Sequence, residues 1–222
     1  MILTATMAAL LSARPFFRFL NALSVLLGGD AEPLEEDAVL RLVELARAGD
    51  RVARQRLYRQ HVQRVFRTVR GMLRSDAEAE YVTQDAMLTA LTSLDRYSPR
   101  SGTRFVAWLT TIAVNTTHRR FRRRRPELTA TGELPEVADP AGDPAADLDM
   151  ASQRAALLQA LAELEPRERE IVSLRYGSDL NATEIAAQLR MEPANVRKIL
   201  ERARVRLGER IEALAKSRGA AA

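Results

Sequence analysis

Residues 181–207 read NATEIAAQLRMEPANVRKILERARVRL, and this stretch decides the fold of the C-terminal part of the chain. Thr183 is positioned to cap a short helix. Pro193 stands at the first turn of a second helix, where its missing N–H costs nothing. Ala186 is a small residue where the two helices would touch, and Val196 fills the matching position on the second helix. The pattern predicts a helix-turn-helix.

The second of these helices has one apolar face and one charged face. The charged face carries Asn195, Arg197, Lys198, Glu201 and Arg202. In a helix-turn-helix this helix enters the major groove, where Arg and Lys engage guanine edges or phosphates, Asn reaches adenine and Glu accepts from cytosine. A merely charged surface helix is the alternative. The coincidence of turn, small residue and one-sided basic face favours DNA binding.

Composition limits the fold class and excludes several kinds of site. The 222 residues are 46% hydrophobic but only 5% aromatic, which favours helices over strands and predicts an all-α protein. A net charge of +5 is compatible with a nucleic-acid partner. The absence of cysteine excludes disulfides and thiolate metal sites, and two isolated histidines make no metal site. No phosphate loop or catalytic set is present, so we expect neither an enzyme nor a cofactor.

Residues 1–216 divide into four segments, the last of which contains the predicted helix-turn-helix. Residues 1–36 begin with an apolar stretch whose only charges are Arg14 and Arg18, and we expect a poorly ordered extension without stable membrane insertion. Residues 37–125 show helical periodicity and end in an arginine run. Residues 126–150 contain acidic residues, proline and glycine but no basic residue, which predicts a flexible linker. Residues 151–216 form a second helical block.

Within the first block, the helical pattern predicts four helices. Gly49 ends the first and Asp50 caps the second, while the third begins at Asp76. A loop from Asp95 to Thr103 precedes the fourth helix, in which Trp108 has the spacing of a core residue rather than of a base-stacking platform. The second block is expected to begin near Met150, with Pro166 at the start of a helix.

Three stretches together resemble the sigma factors of the extracytoplasmic-function (ECF) class, within the bacterial sigma-70 family. They are DAEAEYVTQDAMLTALTSLDRY (76–97), GTRFVAWLTTIAVNTTHRRFRRRR (102–125) and LEPREREIVSLRYGSDLNATEIAAQLRMEPANVRKILERARVRL (164–207). They are similar to the family's polymerase-binding helix, its minus-ten reading helix and its minus-thirty-five reading domain. The resemblance implies two small helical domains, sigma regions 2 and 4, on either side of the acidic linker.

The resemblance also implies roles for individual residues. Core RNA polymerase would be bound through its largest-subunit clamp and its flap, with clamp contacts from Tyr81, Gln84 and Asp85. The minus-ten element would be contacted by Tyr97, Ser98, Arg100, Asn115, Arg119 and Arg120. The minus-thirty-five element would be read by Arg197, Lys198, Glu201 and Arg202 with Asn195, and Thr183 would contact a phosphate. The resemblance also implies two partners, promoter DNA and an anti-sigma factor, and a cytoplasmic location.

Two positions depart from the family pattern. Tyr81 stands where an Asp is usual on the polymerase-binding helix, which puts the strength of core binding in doubt. Arg190 occupies a turn position where Gly is frequent, and it must tolerate strain if the turn requires a positive φ. The alternative function is a stand-alone helix-turn-helix regulator that binds DNA as a dimer, which would not need the first block. Binding to core polymerase distinguishes the two.

Overall fold

The computed structural model describes residues 34–99, 102–124 and 146–219. These residues form eight α-helices and a 3-10 turn at Leu94–Arg96, with no strand among them, which confirms the predicted all-α class. The predicted extension up to residue 33 and residues 125–145 of the predicted linker lie outside the described residues. The helices are α1 Glu36–Arg47, α2 Arg51–Met72, α3 Asp76–Thr92, α4 Phe105–Arg124, α5 Ala146–Glu163, α6 Pro166–Gly177, α7 Ala182–Leu189 and α8 Pro193–Gly219.

The first helices begin and end at the predicted signals. Gly49 has φ 97° between α1 and α2, a conformation that is strained for residues with a Cβ. Asp50 caps α2 as predicted, and its Oδ1 accepts hydrogen bonds from the backbone N–H groups of Val52 (2.7 Å) and Ala53 (3.2 Å). The third helix begins at Asp76, as expected.

Helices α1 to α4 form the N-terminal module around one apolar core. Half-buried residues, Trp108 among them, pack against this core, and the Trp108 ring centroid lies 5.5 Å from that of Phe105. The predicted core role of Trp108 is therefore confirmed. The buried members of this first core are Val39, Val43, Ala46, Ala53, Leu57, Val65, Val69, Leu73, Ala79, Val82, Ala86, Met87, Ala90, Leu94, Tyr97, Phe105, Leu109 and Ala113.

Helices α5 to α8 form the C-terminal module. Pro166 is at the start of α6, as predicted, whereas α5 begins at Ala146, before the expected Met150. The turn between α5 and α6 is held by Arg169, whose Nε donates to the carbonyl of Leu161 (2.9 Å) and whose Nη2 donates to that of Ala162 (2.7 Å). A second apolar core lies between α5, α6 and α8 and contains Leu157, Ala160, Leu161, Leu164, Val172, Ala203, Leu207 and Ile211.

The two modules pack directly against each other, which the sequence did not predict. A third apolar cluster, the shared core, contains residues of both modules. The N-terminal module contributes Met72, Val106, Ala107 and Val114, and the C-terminal module contributes Ile171, Leu174, Leu180, Ile185, Ala186 and Val196. Helix α4 is therefore buried on two sides, with Phe105 and Leu109 in the first core and Val106 and Val114 in the shared core.

Two glycines allow α2 and α6 to approach closely. A Cβ on Gly177 would lie 2.7 Å from the backbone N and Cα of Thr68, closer than atoms can pack. A Cβ on Gly71 would likewise meet the side chain of Ser173, at 3.1 Å from its Cβ. The contact between the modules therefore depends on the absence of side chains at these two positions.

Candidate nucleic-acid interface

The helix-turn-helix is formed by α7 and α8, and its first helix is capped by Asn181 rather than by Thr183. The Oδ1 of Asn181 accepts from the N–H groups of Thr183 and Glu184, both at 2.9 Å. Glu184 Oε2 in turn accepts from the N–H of Asn181 at 2.8 Å, which completes a reciprocal capping box. The predicted capping role of Thr183 is wrong, because the helix begins two residues earlier than that role requires, and Thr183 is exposed.

The turn places a non-glycine residue in the left-handed region. Arg190 has φ 54° and ψ 52°, so the positive φ suspected at this position is present. Such a conformation costs an L-residue roughly 1–2 kcal/mol. The N–H of Met191 donates to the carbonyl of Ala186 at 2.9 Å and closes the turn. The angle between α7 and α8 is thus set by backbone geometry and by the packing of Ile185, Ala186 and Val196, all buried.

The outward face of α8 is available to a ligand. All five residues expected to read DNA are exposed: Asn195, Arg197, Lys198, Glu201 and Arg202. No ion pair or hydrogen bond among the described residues engages these side chains. By contrast, Arg206 pairs with Glu168, and Arg210 Nη2 lies 2.7 Å from Glu163 Oε1, farther along the same helix. The cations Arg197, Lys198 and Arg202 therefore lie unpaired on the part of α8 that follows the turn.

The N-terminal module brings the other predicted residues onto two neighbouring helices. Asn115 and Arg119 are exposed on α4, and Arg119 Nη2 lies 2.8 Å from Asp85 Oδ2 on α3. The guanidinium of Arg120 lies over the ring of Tyr81, 5.0 Å from its centroid, in cation–π geometry. Two of the predicted minus-ten residues, Arg119 and Arg120, therefore contact two of the predicted polymerase-binding residues, Asp85 and Tyr81.

Tyr97 is not available to DNA in this structure. Its side chain is 2% exposed, and its hydroxyl donates to the carbonyl of Thr103 at 3.0 Å. Burial, together with the negative charge and hydrogen bond of Glu36, raises the pKa of Tyr97 to about 12. The predicted base contact of Tyr97 is therefore corrected to a core role. Ser98 is exposed, whereas Arg100 lies outside the described residues.

One face of α3 is exposed and partly apolar. Tyr81, Gln84, Asp85 and Leu88 follow one another at the spacing i, i+3, i+4, i+7, which puts them on a single helix face. Tyr81 is 57% exposed and Leu88 is 65% exposed. This face has the character of a protein-binding surface, with two apolar side chains beside an amide and a carboxylate.

The described residues lack two further features, a metal-binding cluster and a membrane-spanning helix. No group of His, Asp or Glu in them could hold a metal ion, and none of the described helices is long and apolar enough to cross a membrane.

Sequence reasoning missed Arg104 and Glu184, which join the two modules. Their Nε–Oε1 and Nη2–Oε2 distances are 2.6 and 2.7 Å. No local pattern reveals a pair that is distant in sequence.

Comparison with known proteins agrees with both modules. Residues 57–127 match the family model for sigma-70 region 2, and residues 154–207 match that for sigma-70 region 4. The RNA polymerase sigma factor CarQ of Myxococcus xanthus is 35% identical over 155 residues, which are 70% of this chain and 87% of CarQ. The ECF RNA polymerase sigma factor BldN of Streptomyces coelicolor is 34% identical over 149 residues, but the match spans only 56% of BldN.

Two solved structures share the fold. CnrH, solved in complex with the cytosolic domain of CnrY, superposes with a TM-score of 0.57 at 25% identity, covering 78% of this chain and 96% of CnrH. The sigma factor RpoE of Bartonella quintana, solved with the anti-sigma factor NepR, gives 0.55 at 21% identity, covering 79% and 95%. The chain therefore belongs to the sigma-70 family of RNA polymerase sigma factors, in the extracytoplasmic-function class, whose members direct promoter-specific initiation of transcription.

Proposed function

We propose that this chain binds core RNA polymerase and directs it to promoters by reading a minus-ten element with α4 and a minus-thirty-five element with α8. The observation that carries the proposal is the exposed, unpaired charged face of α8 on a helix-turn-helix that matches sigma-70 region 4. We divide the chain into a region 2 module at 37–125, a linker at 126–150 and a region 4 module at 151–216. Helix α5 already begins at Ala146, inside the linker bounds.

In the minus-thirty-five complex, the outward residues of α8 enter the major groove. Arg197 and Arg202 would form bidentate hydrogen bonds with guanine or contact phosphates, and Lys198 would contribute a point charge. Asn195 would pair with adenine and Glu201 with cytosine. Because Asn181 rather than Thr183 caps α7, the exposed hydroxyl of Thr183 can contact a phosphate at the start of that helix.

In the minus-ten complex, Asn115, Arg119 and Arg120 would hold the separated strand, since a basic surface stabilises single-stranded DNA. Ser98, in the loop before α4, is exposed and would also contact the minus-ten DNA. Arg100 is proposed as a minus-ten contact from the sequence alone. Tyr97 is left out because it is buried.

Core polymerase would be bound by the face of α3 that carries Tyr81, Gln84 and Asp85. The replacement of the usual acid by Tyr81 removes a charge but adds an exposed ring, and aromatic residues are enriched at protein interfaces. We assign the polymerase clamp to this face and the polymerase flap to the C-terminal module. The chain is proposed to act in the cytoplasm as a regulator without catalytic activity of its own.

An anti-sigma factor is the further partner that we propose. CnrH and RpoE were each solved with a second protein, the cytosolic domain of CnrY and the anti-sigma factor NepR respectively. The exposed apolar side chains on α3 would give such a partner a surface that competes with polymerase.

Binding to core polymerase separates this function from that of a dimeric repressor or activator. Purified chain is mixed with core polymerase lacking other sigma factors and analysed by size-exclusion chromatography with light scattering. A sigma factor co-elutes as one copy per polymerase and is monomeric alone. A chain that dimerises alone and does not bind polymerase would have the alternative function, a stand-alone regulator.

A further inference from the structure

We infer that a cleft between α2, α5 and α6 binds a small organic molecule that carries a phosphate or diphosphate group. The cleft has a volume of about 350 Å³, which is within the range of small-molecule sites in proteins. None of its lining residues belongs to α8, so it is separate from the face proposed to read DNA. The inference therefore does not depend on the proposed function.

The walls of the cleft carry more positive than negative charge. Three of its lining residues are arginines, whereas Glu163 is the one carboxylate among them. Both modules contribute to the lining: Arg70, Gly71, Leu73 and Arg74 come from the end of α2 and the turn after it, Leu158, Gln159, Ala162 and Glu163 from α5, and Arg169 from α6. Such a set of side chains favours an anion as the ligand.

The carboxylate of the cleft does not neutralise its arginines. Glu163 Oε1 lies 2.7 Å from Nη2 of Arg210, an arginine that does not line the cleft. Arg169 donates to the backbone carbonyls of the α5–α6 turn and has no ion pair among the described residues. Because a carbonyl carries no net charge, the guanidinium of Arg169 keeps its full positive charge beside the cleft.

Arg74 is the arginine of the cleft that is available to a ligand. Its side chain is exposed, and no hydrogen bond or ion pair in the described part of the chain involves it. Burial and, next, the positive charge of Arg74 lower the pKa of Arg169, and the opposing effect of the Glu165 carboxylate is smaller. The two guanidinium groups therefore repel each other, and a phosphate between them would relieve this repulsion.

Arg70 supplies the third guanidinium in a fixed orientation. Its Nε donates to Oδ1 of Asp76, and its Nη1 donates to the carbonyl of Leu73 at 2.9 Å. The same Asp76 oxygen also lies 3.5 Å from Nη2 of Arg154, so one carboxylate serves two guanidinium groups and positive charge remains in excess. The planar donor fork of arginine matches the oxygen atoms of a phosphate, which is why a phosphate is the anion that we assign.

An apolar crevice next to the cleft can hold the organic part of the ligand. Arg70, Gly71 and Leu158 line both spaces, and the crevice has a volume of about 80 Å³. Its other walls include Leu157 and Val172, which are buried. A crevice of this size admits a small apolar group rather than a long acyl chain. We therefore expect a ligand of nucleotide size and not a lipid.

Isothermal titration calorimetry of the full chain tests the site with three probes: adenosine diphosphate, inorganic pyrophosphate and uncharged adenosine. The titrations are made without divalent cations, because these would neutralise the phosphates. We expect adenosine diphosphate to bind at one site per chain below about 1 mM, the upper end of common small-molecule affinities. Pyrophosphate should bind more weakly, because it makes no apolar contact, and adenosine should not bind detectably. The thermal midpoint of unfolding should rise with adenosine diphosphate, since the ligand binds only the folded chain.

The relative affinities of the probes decide which part of the inference holds. If neither adenosine diphosphate nor pyrophosphate binds, the site is overturned. Adenosine that binds as tightly as adenosine diphosphate would overturn the role of the phosphate. Pyrophosphate that binds as tightly as adenosine diphosphate would overturn the contribution of the apolar crevice and leave an inorganic anion as the ligand. None of these results depends on polymerase or promoter DNA, so the site and the proposed function can fail separately.

Arg74→Gln places the ligand in this cleft. The exposed Arg74 side chain makes no contact that folding needs, so we expect a folded variant whose affinity for adenosine diphosphate falls about tenfold, because one charge-assisted hydrogen bond is lost. Arg59→Gln is the matched control, because it removes the same charge from an exposed arginine of α2 that does not line the cleft, and it should bind as the wild type does. Unchanged affinity in Arg74→Gln, or an equal loss in both variants, would overturn the assignment of the cleft.

Discussion

Arg119 on α4 and Asp85 on α3 form an ion pair of 2.8 Å, and both side chains remain partly exposed. The pair joins a proposed minus-ten contact to a proposed polymerase contact. A DNA phosphate that attracts Arg119 would release Asp85 for its protein partner, so the two binding events can favour each other through this contact.

Replacing the acid of this pair tests the polymerase-binding face. We expect Asp85→Asn to weaken core polymerase binding about tenfold, since truncating a central interface contact commonly costs about 1–2 kcal/mol. Its effect on the free energy of unfolding should stay below about 1 kcal/mol, because exposed ion pairs contribute little. Affinity is measured by fluorescence anisotropy. Asp37→Asn, which neutralises an exposed carboxylate on α1, is the control. Equal losses for the two variants would contradict the assignment of the face.

The charged face of α8 carries a prediction about promoter specificity. Arg197→Ala and Arg202→Ala should each weaken recognition of the minus-thirty-five element by roughly 1–3 kcal/mol if they contact bases. Promoter binding by the holoenzyme is measured on matched and mutated upstream elements. Arg210→Ala removes the same charge from the same helix at a residue paired with Glu163, and it should have little effect. A footprint that neither substitution changes would refute the proposed roles.

Two substitutions test which residue caps α7: the structure assigns the cap to Asn181, whereas the sequence predicted Thr183. Asn181→Ala should lower the free energy of unfolding by about 1 kcal/mol, because it removes the acceptor for two backbone N–H groups. Thr183→Ala should leave stability nearly unchanged, since its side chain caps nothing. Urea unfolding of both variants checks this. The opposite order of stabilities would show that the capping box is not formed in solution.

The error at Thr183 shows what sequence could and could not predict. Asn181, Thr183 and Glu184 are all capping-type residues, so composition alone leaves the start of α7 uncertain by two residues. The helix-turn-helix itself was predictable, because Ala186, Pro193 and Val196 stand at the spacing that this motif requires.

The packing between the modules was not predictable in the same way. Residues 105–114 read FVAWLTTIAV, with apolar residues on both sides of the helix. The pattern does not say which element covers the second face. Tyr97 was misassigned for a related reason: a loop residue that follows the family pattern can point inward, and only its hydrogen bond to Thr103 reveals the direction.

A buried histidine gives the N-terminal module a dependence on pH. Burial, with a smaller contribution from the charge of Arg64, lowers the pKa of His61 to about 3, and neither ring nitrogen has a hydrogen-bond partner among the described residues. The unfolded chain therefore takes up a proton first as the pH falls. The stability that the neutral ring supports is complete above its ordinary pKa of 6.5 and is lost between that value and about 3.

We expect the free energy of unfolding of the wild type to fall by about 2 kcal/mol between about pH 7.5 and about pH 5. His61→Leu should abolish most of this fall, whereas His118→Gln, which removes the other histidine, should keep it. Urea unfolding at the two pH values gives the comparison. The same fall in wild type and His61→Leu would mean that the ring is not buried in the neutral form.

Run-off transcription with start-site mapping tests the central claim most directly. Core polymerase freed of other sigma factors is incubated with a pool of genomic promoter fragments, with and without the full chain. The account predicts start sites that appear only with the chain and share two upstream elements, and that are lost in the combined Arg197→Ala and Arg202→Ala variant. Start sites that do not depend on the chain, or no start sites at all, would contradict it.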